Sequence, residues 1–123
     1  MKRVVTYIHH ATEGDWETWE PQMLHDYAKE HSGAQVESYV EIGYVGRDRR
    51  RPILEMILTA CENGKYDEVV VLRQSHLSRN TSESIKIYDR LKKCGVRLTI
   101  MQLGTSEEVD KTIELIKAVG YGA

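Results

Sequence analysis

Apolar positions along the chain alternate between short continuous runs and longer stretches with helical spacing. Residues 4–8 form a short β-branched run, and residues 69–72 form a second run that is apolar throughout, as a central parallel strand is. Residues 35–42 alternate apolar and polar side chains, and this alternation predicts another strand. A further apolar run over residues 98–103 predicts the fourth strand.

The segments between these runs carry apolar side chains at helical spacing. Residues 16–31, with Trp19 among the apolar positions, predict a first helix. Pro52 suits the first turn of a second helix, which Asn63-Gly64 ends. The last two helices are predicted after a cap at Thr81 or Ser82, and over residues 107–119 with Val109, Ile113, Leu115 and Ile116 facing inward.

This order of strands and helices predicts an α/β fold with three layers. We expect a mostly parallel sheet of four or five strands with helices on both faces. Ligand sites in such sheets gather beyond the carboxyl ends of the strands. Residues 9–12, 42–51 and 74–80 all follow predicted strand ends, so we expect them to meet on one rim of the sheet.

Length and charge narrow the choice of function. With 123 residues, the sequence predicts a single domain over 1–123 without a C-terminal DNA-binding domain. The net charge of -2 argues mildly against strong autonomous DNA binding, although residues 47–51 form a local basic run. Two widely spaced cysteines and the lack of a long apolar run favour a cytoplasmic location without membrane contact.

Several short motifs follow one another in a recognisable order. Tyr7, His9 and Ala11 stand at the spacing of a Tyr-x-Arg-x-Ser motif, and residues 77–80 read Leu-Ser-Arg-Asn. Further matching segments lie at residues 38–46, 51–54 and 95–98. Taken together, the chain resembles the catalytic domain of the serine recombinases, the resolvases and invertases. The resemblance implies a resolvase-like α/β/α fold and a role in DNA recombination.

The resemblance also implies which positions form the active site, and most of them are altered. In the family the serine attacks a DNA phosphate, and Ala11 stands in its place. His9 and His76 replace arginines, Ser75 replaces an aspartate, and Glu41 occupies another aspartate position. Because a methyl group cannot attack phosphorus, we expect a catalytically inactive domain with a degenerate active site.

A second set of residues is expected to contact DNA. Arg51 and Arg79 are the two family arginines that remain, and guanidinium groups bind phosphate oxygens in a fixed fork. Arg49 and Arg50 would support them, and Gln22 stands where the family carries a glutamine. A purely solvated arginine loop is the competing interpretation for these residues.

Three functions remain open from the sequence. The first is a non-catalytic protein of a mobile element or phage that binds DNA or pairs with an active recombinase or itself. The second is a protein-interaction module without a DNA role, and the third is an enzyme that uses Thr12 or Ser75 as its nucleophile. No cofactor is expected, and no metal either, because the histidines are far apart in the sequence.

Overall fold

The computed structural model describes residues 2–10, 19–32, 35–43, 51–78 and 80–120. Strands and helices alternate through this part of the chain. The strands are β1 (Arg3–His10), β2 (Gln35–Ile42), β3 (Glu68–Val71) and β4 (Arg97–Ile100). The helices are α1 (Glu20–Ser32), α2 (Pro52–Glu62), α3 (Thr81–Lys93) and α4 (Ser106–Val119), with a short 3-10 helix at Gln74–His76.

The four strands form one sheet in the order β2-β1-β3-β4, and every neighbouring pair is parallel. In the register, His9 lies opposite Glu41 and Tyr7 lies opposite Val71. All four strands therefore end at the same edge of the sheet, which we call the carboxyl rim. The predicted α/β/α fold with a parallel sheet is confirmed.

Successive side chains of the strands point to opposite faces of the sheet and contribute to two hydrophobic clusters, one on each face. On one face, α1 packs against β1 and β3 through Leu24 and Ala28. On the other face, the cluster joins buried side chains from the other three helices with those of β1, β3 and β4, and Tyr39 of β2 packs against it. Its buried members include Val5, Tyr7, Ile57, Leu58, Ile85, Leu91, Val109 and Ile113. Helices thus cover both faces of the sheet.

Strand β1 is longer than the apolar run predicts. It continues through His9 and His10, because parallel pairing with β2 extends to the pairs His9 with Glu41 and His10 with Ile42. The two histidines therefore belong to the strand end and not to the loop that follows. In contrast, β4 ends at Ile100 and is shorter than the predicted run over residues 98–103.

Three further expectations from the pattern are wrong in detail. Trp19 precedes α1 and is 55% exposed, so it is not an apolar position of the helix. The N-cap of α3 is Asn80, whose side chain accepts a hydrogen bond from the amide of Glu83, and not Thr81 or Ser82. Leu115 on α4 is 64% exposed and does not face the core.

None of the helices in the described ranges combines the length and apolarity needed to cross a membrane.

Candidate functional site

The carboxyl rim gathers polar side chains from β1, β2, the start of α2 and the loop after β3. Within the described residues, two hydrogen-bonded groups lie here, Tyr7 with Glu41, and His76 with both His9 and Arg51. We call these five residues the rim network. Four of them were predicted site residues, and the structure brings all four together.

Glu41 lies at the end of β2 with its carboxylate buried at 2% exposure. Its Oε1 accepts a 2.6 Å hydrogen bond from the Tyr7 hydroxyl and a 3.1 Å bond from the Leu54 amide. Its Oε2 accepts a 2.8 Å bond from the Ile53 amide. Both amides belong to the first turn of α2, where helical N–H groups have no partner within the helix. The carboxylate therefore fixes the start of α2 to the sheet, and it also complements the positive end of the helix dipole.

Tyr7 contributes the matching phenol from β1, and its ring is completely buried. Burial, followed by the hydrogen bond to Glu41, raises the pKa of the Tyr7 hydroxyl well above its usual range. The hydroxyl is therefore protonated at neutral pH and serves as a hydrogen-bond donor.

His76 occupies the last position of the 3-10 helix and is 3% exposed. Its Nδ1 accepts a 3.0 Å hydrogen bond from the backbone amide of His9. Since that nitrogen accepts, the ring of the neutral histidine carries its proton on Nε2. The ring edge also packs against His10, with the ring centroids 5.4 Å apart.

Burial lowers the pKa of His76 to about 4, and its cationic or titratable neighbours His10, Arg73, His9 and Arg51 add to the effect. His76 is consequently neutral at physiological pH. An arginine in this position would be charged under all ordinary conditions. The rim network thus has a neutral hydrogen-bond acceptor at position 76, where an arginine would place a permanent positive charge.

Arg51 is the N-cap residue of α2 and is half-buried. Its Nη1 donates a 2.8 Å hydrogen bond to the main-chain carbonyl of His76. This bond uses one of the five N–H donors of the guanidinium, and the guanidinium also interacts with the hydroxyl of Tyr7. Beside it, Nε2 of His9 lies 2.6 Å from the carbonyl oxygen of Gly43, which directs the N–H of that nitrogen toward the main chain.

The remaining predicted site residues do not join this network or lie outside the described residues. Gln22 is exposed in the first turn of α1 and donates to Asp26 on its own helix, 2.9 Å away. Ser75 is exposed within the 3-10 helix. The positions outside the described residues are Ala11, Thr12, Arg49, Arg50 and Arg79.

The pattern of the sequence did not identify two further anchors of the rim. Ser78 donates to Glu83 at 2.9 Å and accepts from the amide of Asn80 at 3.0 Å, which ties the loop to the start of α3. Arg73, directly after β3, contacts the buried carboxylate of Glu20 at 3.4 Å. Ser78 belongs to the Leu-Ser-Arg-Asn motif, so its match to the family was the available signal.

Across the ranges that the structure describes, no group of three or more His, Cys, Asp or Glu side chains has an arrangement that could hold a metal ion. His9 and His76 are engaged with main-chain groups of the protein.

The fold and the rim together define a three-layer α/β domain with polar side chains at the carboxyl edge of a parallel sheet. The sequence profile of the family described as "Resolvase, N terminal domain" matches residues 4–120. The chain therefore belongs to the resolvase family, and its fold is that of a serine recombinase catalytic domain.

Solved structures of such domains superpose over almost the whole chain. The N-terminal catalytic domain of TP901-1 integrase has 20% identity and a TM-score of 0.78, with 96% of this chain and 93% of that chain covered. A resolvase family site-specific recombinase from Streptococcus pneumoniae has 16% identity and a TM-score of 0.76, with 97% and 85% covered. A serine recombinase from Sulfolobus solfataricus has 16% identity and a TM-score of 0.63, with 97% and 83% covered. No curated protein gives a significant match to the sequence.

Proposed function

We propose that this domain is a non-cutting serine recombinase relative that contacts DNA phosphates through the carboxyl rim. Arg51 and Arg79 would be the principal contacts, with Arg49 and Arg50 in support and Gln22 as a further contact. The observation that carries the proposal is the rim network, in which Glu41 fixes the start of α2 and the His76 carbonyl holds the guanidinium of Arg51 at the carboxyl rim.

Loss of strand cleavage follows from three features taken together. Ala11 offers no hydroxyl to attack phosphorus. At His9 and His76 the fixed charges of arginine are absent, and His76 is neutral because its pKa is lowered to about 4. Removing one preorganised donor from a site of this kind costs roughly a hundred- to thousandfold in rate. Two such losses leave little activity even if another hydroxyl, on Thr12 or Ser75, took the place of the serine.

Binding to random-sequence duplex DNA across a salt series tests the proposal directly. For a protein that neutralises phosphates, the logarithm of affinity falls linearly with the logarithm of salt concentration, with a slope near -0.9 per contact. We expect a measurable slope for the wild type, and a slope reduced by about 1 in Arg51→Gln and again in Arg79→Gln. Lys111→Gln, an exposed lysine on α4, is the matched control for removal of one positive charge. An absence of binding at low salt, or slopes unchanged in both rim variants, would refute the DNA proposal.

Denaturant-trapped protein–DNA adducts test the claim that the domain does not cut. An enzyme that used Thr12 or Ser75 would pass through a covalent link to DNA, and such a link survives denaturation. We expect no adduct from the wild type on supercoiled or linear DNA. An adduct that disappears in Thr12→Ala or Ser75→Ala would overturn this part of the proposal.

A second candidate function is pairing with an active recombinase or with another copy of this chain. The observation in its favour is the outer side of α4, where Leu115 is 64% exposed and Val119 is 77% exposed. Large apolar side chains next to each other on a helix surface favour protein contact. Sedimentation of the wild type and of Leu115→Glu, alone and mixed with an active serine recombinase, tests this function. A sedimentation coefficient that is independent of concentration and partner in both proteins would exclude it.

A further inference from the structure

Two separate groups of His76 join β1 to the start of α2. Its ring accepts the amide of His9 at 3.0 Å, and its main-chain carbonyl accepts Nη1 of Arg51 at 2.8 Å. The ring and the carbonyl belong to one residue, so the bond that fixes the ring also fixes the oxygen that receives the guanidinium. Because the ring is buried, few other positions are open to it.

From this geometry we propose that His76 is a positioning residue for Arg51, and that its neutral ring holds the Arg51 guanidinium at the carboxyl rim through the His76 carbonyl. The biological use of this placement rests on the function proposed above, in which Arg51 contacts a DNA phosphate. The proposal itself concerns the placement of the guanidinium in the free protein, and that placement can be measured without DNA.

The arrangement depends on a hydrogen-bond acceptor at the His76 ring. An arginine at this position has donors only, so it could not accept the His9 amide. The acceptor persists at neutral pH because the ring is buried and faces positively charged or titratable groups from each adjoining element. These groups are His9 and His10 from β1, Arg73 from its own loop and Arg51 from the start of α2.

Glu41 fixes the turn of α2 that directly follows Arg51. That carboxylate accepts the amides of Ile53 and Leu54, the second and third residues of α2, and so fixes the helix directly behind the N-cap. With the following turn fixed by Glu41 and the guanidinium fixed by His76, Arg51 has both ends restrained. A side chain restrained in this way loses less entropy when it binds an oxyanion.

The test compares His76→Phe with His76→Asn in the full chain. Phenylalanine keeps an aromatic ring but removes the acceptor, whereas the asparagine Oδ1 stands close to the place of Nδ1 and can accept the His9 amide. The readout is solvent exchange of the guanidinium protons of Arg51, measured by NMR relative to those of Arg90. Arg90 on α3 is the internal reference because it pairs with Glu55 and Glu62 of α2 and has no part in the rim network.

We expect His76→Phe to raise Arg51 exchange severalfold relative to Arg90, and we expect His76→Asn to return it to the wild-type value. In the DNA salt series, His76→Phe should lower the slope by about 1, as Arg51→Gln does, and the double variant should show no further loss. Unchanged Arg51 exchange in His76→Phe would overturn the positioning role whether or not DNA is bound. If Arg51→Gln itself left the DNA slope unchanged, the phosphate proposal would fail, while the exchange measurement would still decide the role of His76.

A wild-type measurement covers the case in which His76→Phe does not fold. Protonation of the ring near pH 4 places a hydrogen on Nδ1 and removes the acceptor. The ratio of Arg51 to Arg90 exchange should therefore rise between pH 7 and pH 4. A constant ratio over that range would contradict the proposal.

Discussion

The hydroxyl of Tyr7 on β1 donates a 2.6 Å hydrogen bond to Oε1 of Glu41 on β2, 34 residues further along the chain. The same carboxylate receives two amides from α2, so one buried group joins two strands and a helix. In the recombinase pattern this position carries an acid of the active site. In this chain the carboxylate holds the hydroxyl of Tyr7 and two amides of the first turn of α2, which gives Glu41 a structural role irrespective of activity.

The first prediction concerns the stability that this carboxylate provides. Glu41→Gln replaces one acceptor oxygen with an amide donor, so one of the buried donors loses its partner. We expect the free energy of unfolding to fall by about 1–3 kcal/mol in urea denaturation, the usual cost of a buried polar group without a partner. Glu30→Gln, on the exposed side of α1, is the matched control and should stay within about 0.5 kcal/mol of the wild type. Equal stabilities for the two variants would show that Glu41 is not the anchor described here.

The second prediction concerns the pH dependence of stability. The pKa of His76 is lowered to about 4 in the folded protein, against an ordinary value near 6.5 in the unfolded chain. Between these values the unfolded state binds more protons, so the stability due to neutral His76 is fully present above pH 6.5 and declines as the pH falls toward 4. We expect the stability of the wild type, relative to the non-titrating variant His76→Asn, to decline by about 1.5–2 kcal/mol between pH 7 and pH 5. Urea unfolding of both proteins at several pH values checks this, and parallel curves would contradict it.

The third prediction distinguishes the cap seen in the structure from the one that the sequence favoured. Asn80 accepts the amide of Glu83 at 3.1 Å, whereas Thr81 is the exposed first residue of α3. Asn80→Ala should cost about 1 kcal/mol of stability, the usual cost of losing an N-cap side chain. Thr81→Ala is the matched control and should change stability by less than about 0.5 kcal/mol. The reverse order of the two effects would place the cap at Thr81.

The strands and helices whose bounds were predicted most accurately are those with a distinctive residue pattern at both ends. The bounds of β2 coincide with the alternating run, and α2 begins at Pro52 and is capped by Asn63, as its flanking residues predicted. The end of β1 was missed because His9 and His10 are polar, although backbone pairing with β2 continues through them. Pairing of this kind depends on the neighbouring strand, and the pattern of one segment does not reveal it.

The location of the candidate site was predictable, but its internal contacts were not. Strand ends in a parallel sheet meet at one edge, so His9 and His76 were expected on a common rim, and the family resemblance added Glu41 to the site. Their partners are mainly main-chain groups: the amides of Ile53 and Leu54, the amide of His9 and the carbonyl of Gly43. Every residue carries such groups, so the sequence gives no indication of which amide a side chain will meet across 67 positions of chain.

The last prediction is that restoring the serine alone does not restore cleavage. Ala11→Ser returns a nucleophilic hydroxyl, but the charges that bind and polarise the phosphate are still missing at His9 and His76. Each missing donor costs roughly a hundred- to thousandfold, so the two together reduce the rate by at least about ten-thousandfold. We expect no covalent protein–DNA adduct from Ala11→Ser on a denaturing gel, under conditions in which an active serine recombinase gives one.

Adding arginines at positions 9 and 76 should not simply restore cleavage to Ala11→Ser either. His76→Arg removes the acceptor of the His9 amide and places a third guanidinium near Arg51 and Arg73, so it should lower stability by about 1–3 kcal/mol. The triple variant Ala11→Ser, His9→Arg, His76→Arg should therefore unfold at lower urea concentration than Ala11→Ser alone. Adducts from Ala11→Ser by itself would show that the two histidines suffice for catalysis. A triple variant as stable as the wild type would show that the neutral ring at position 76 is not required by this fold.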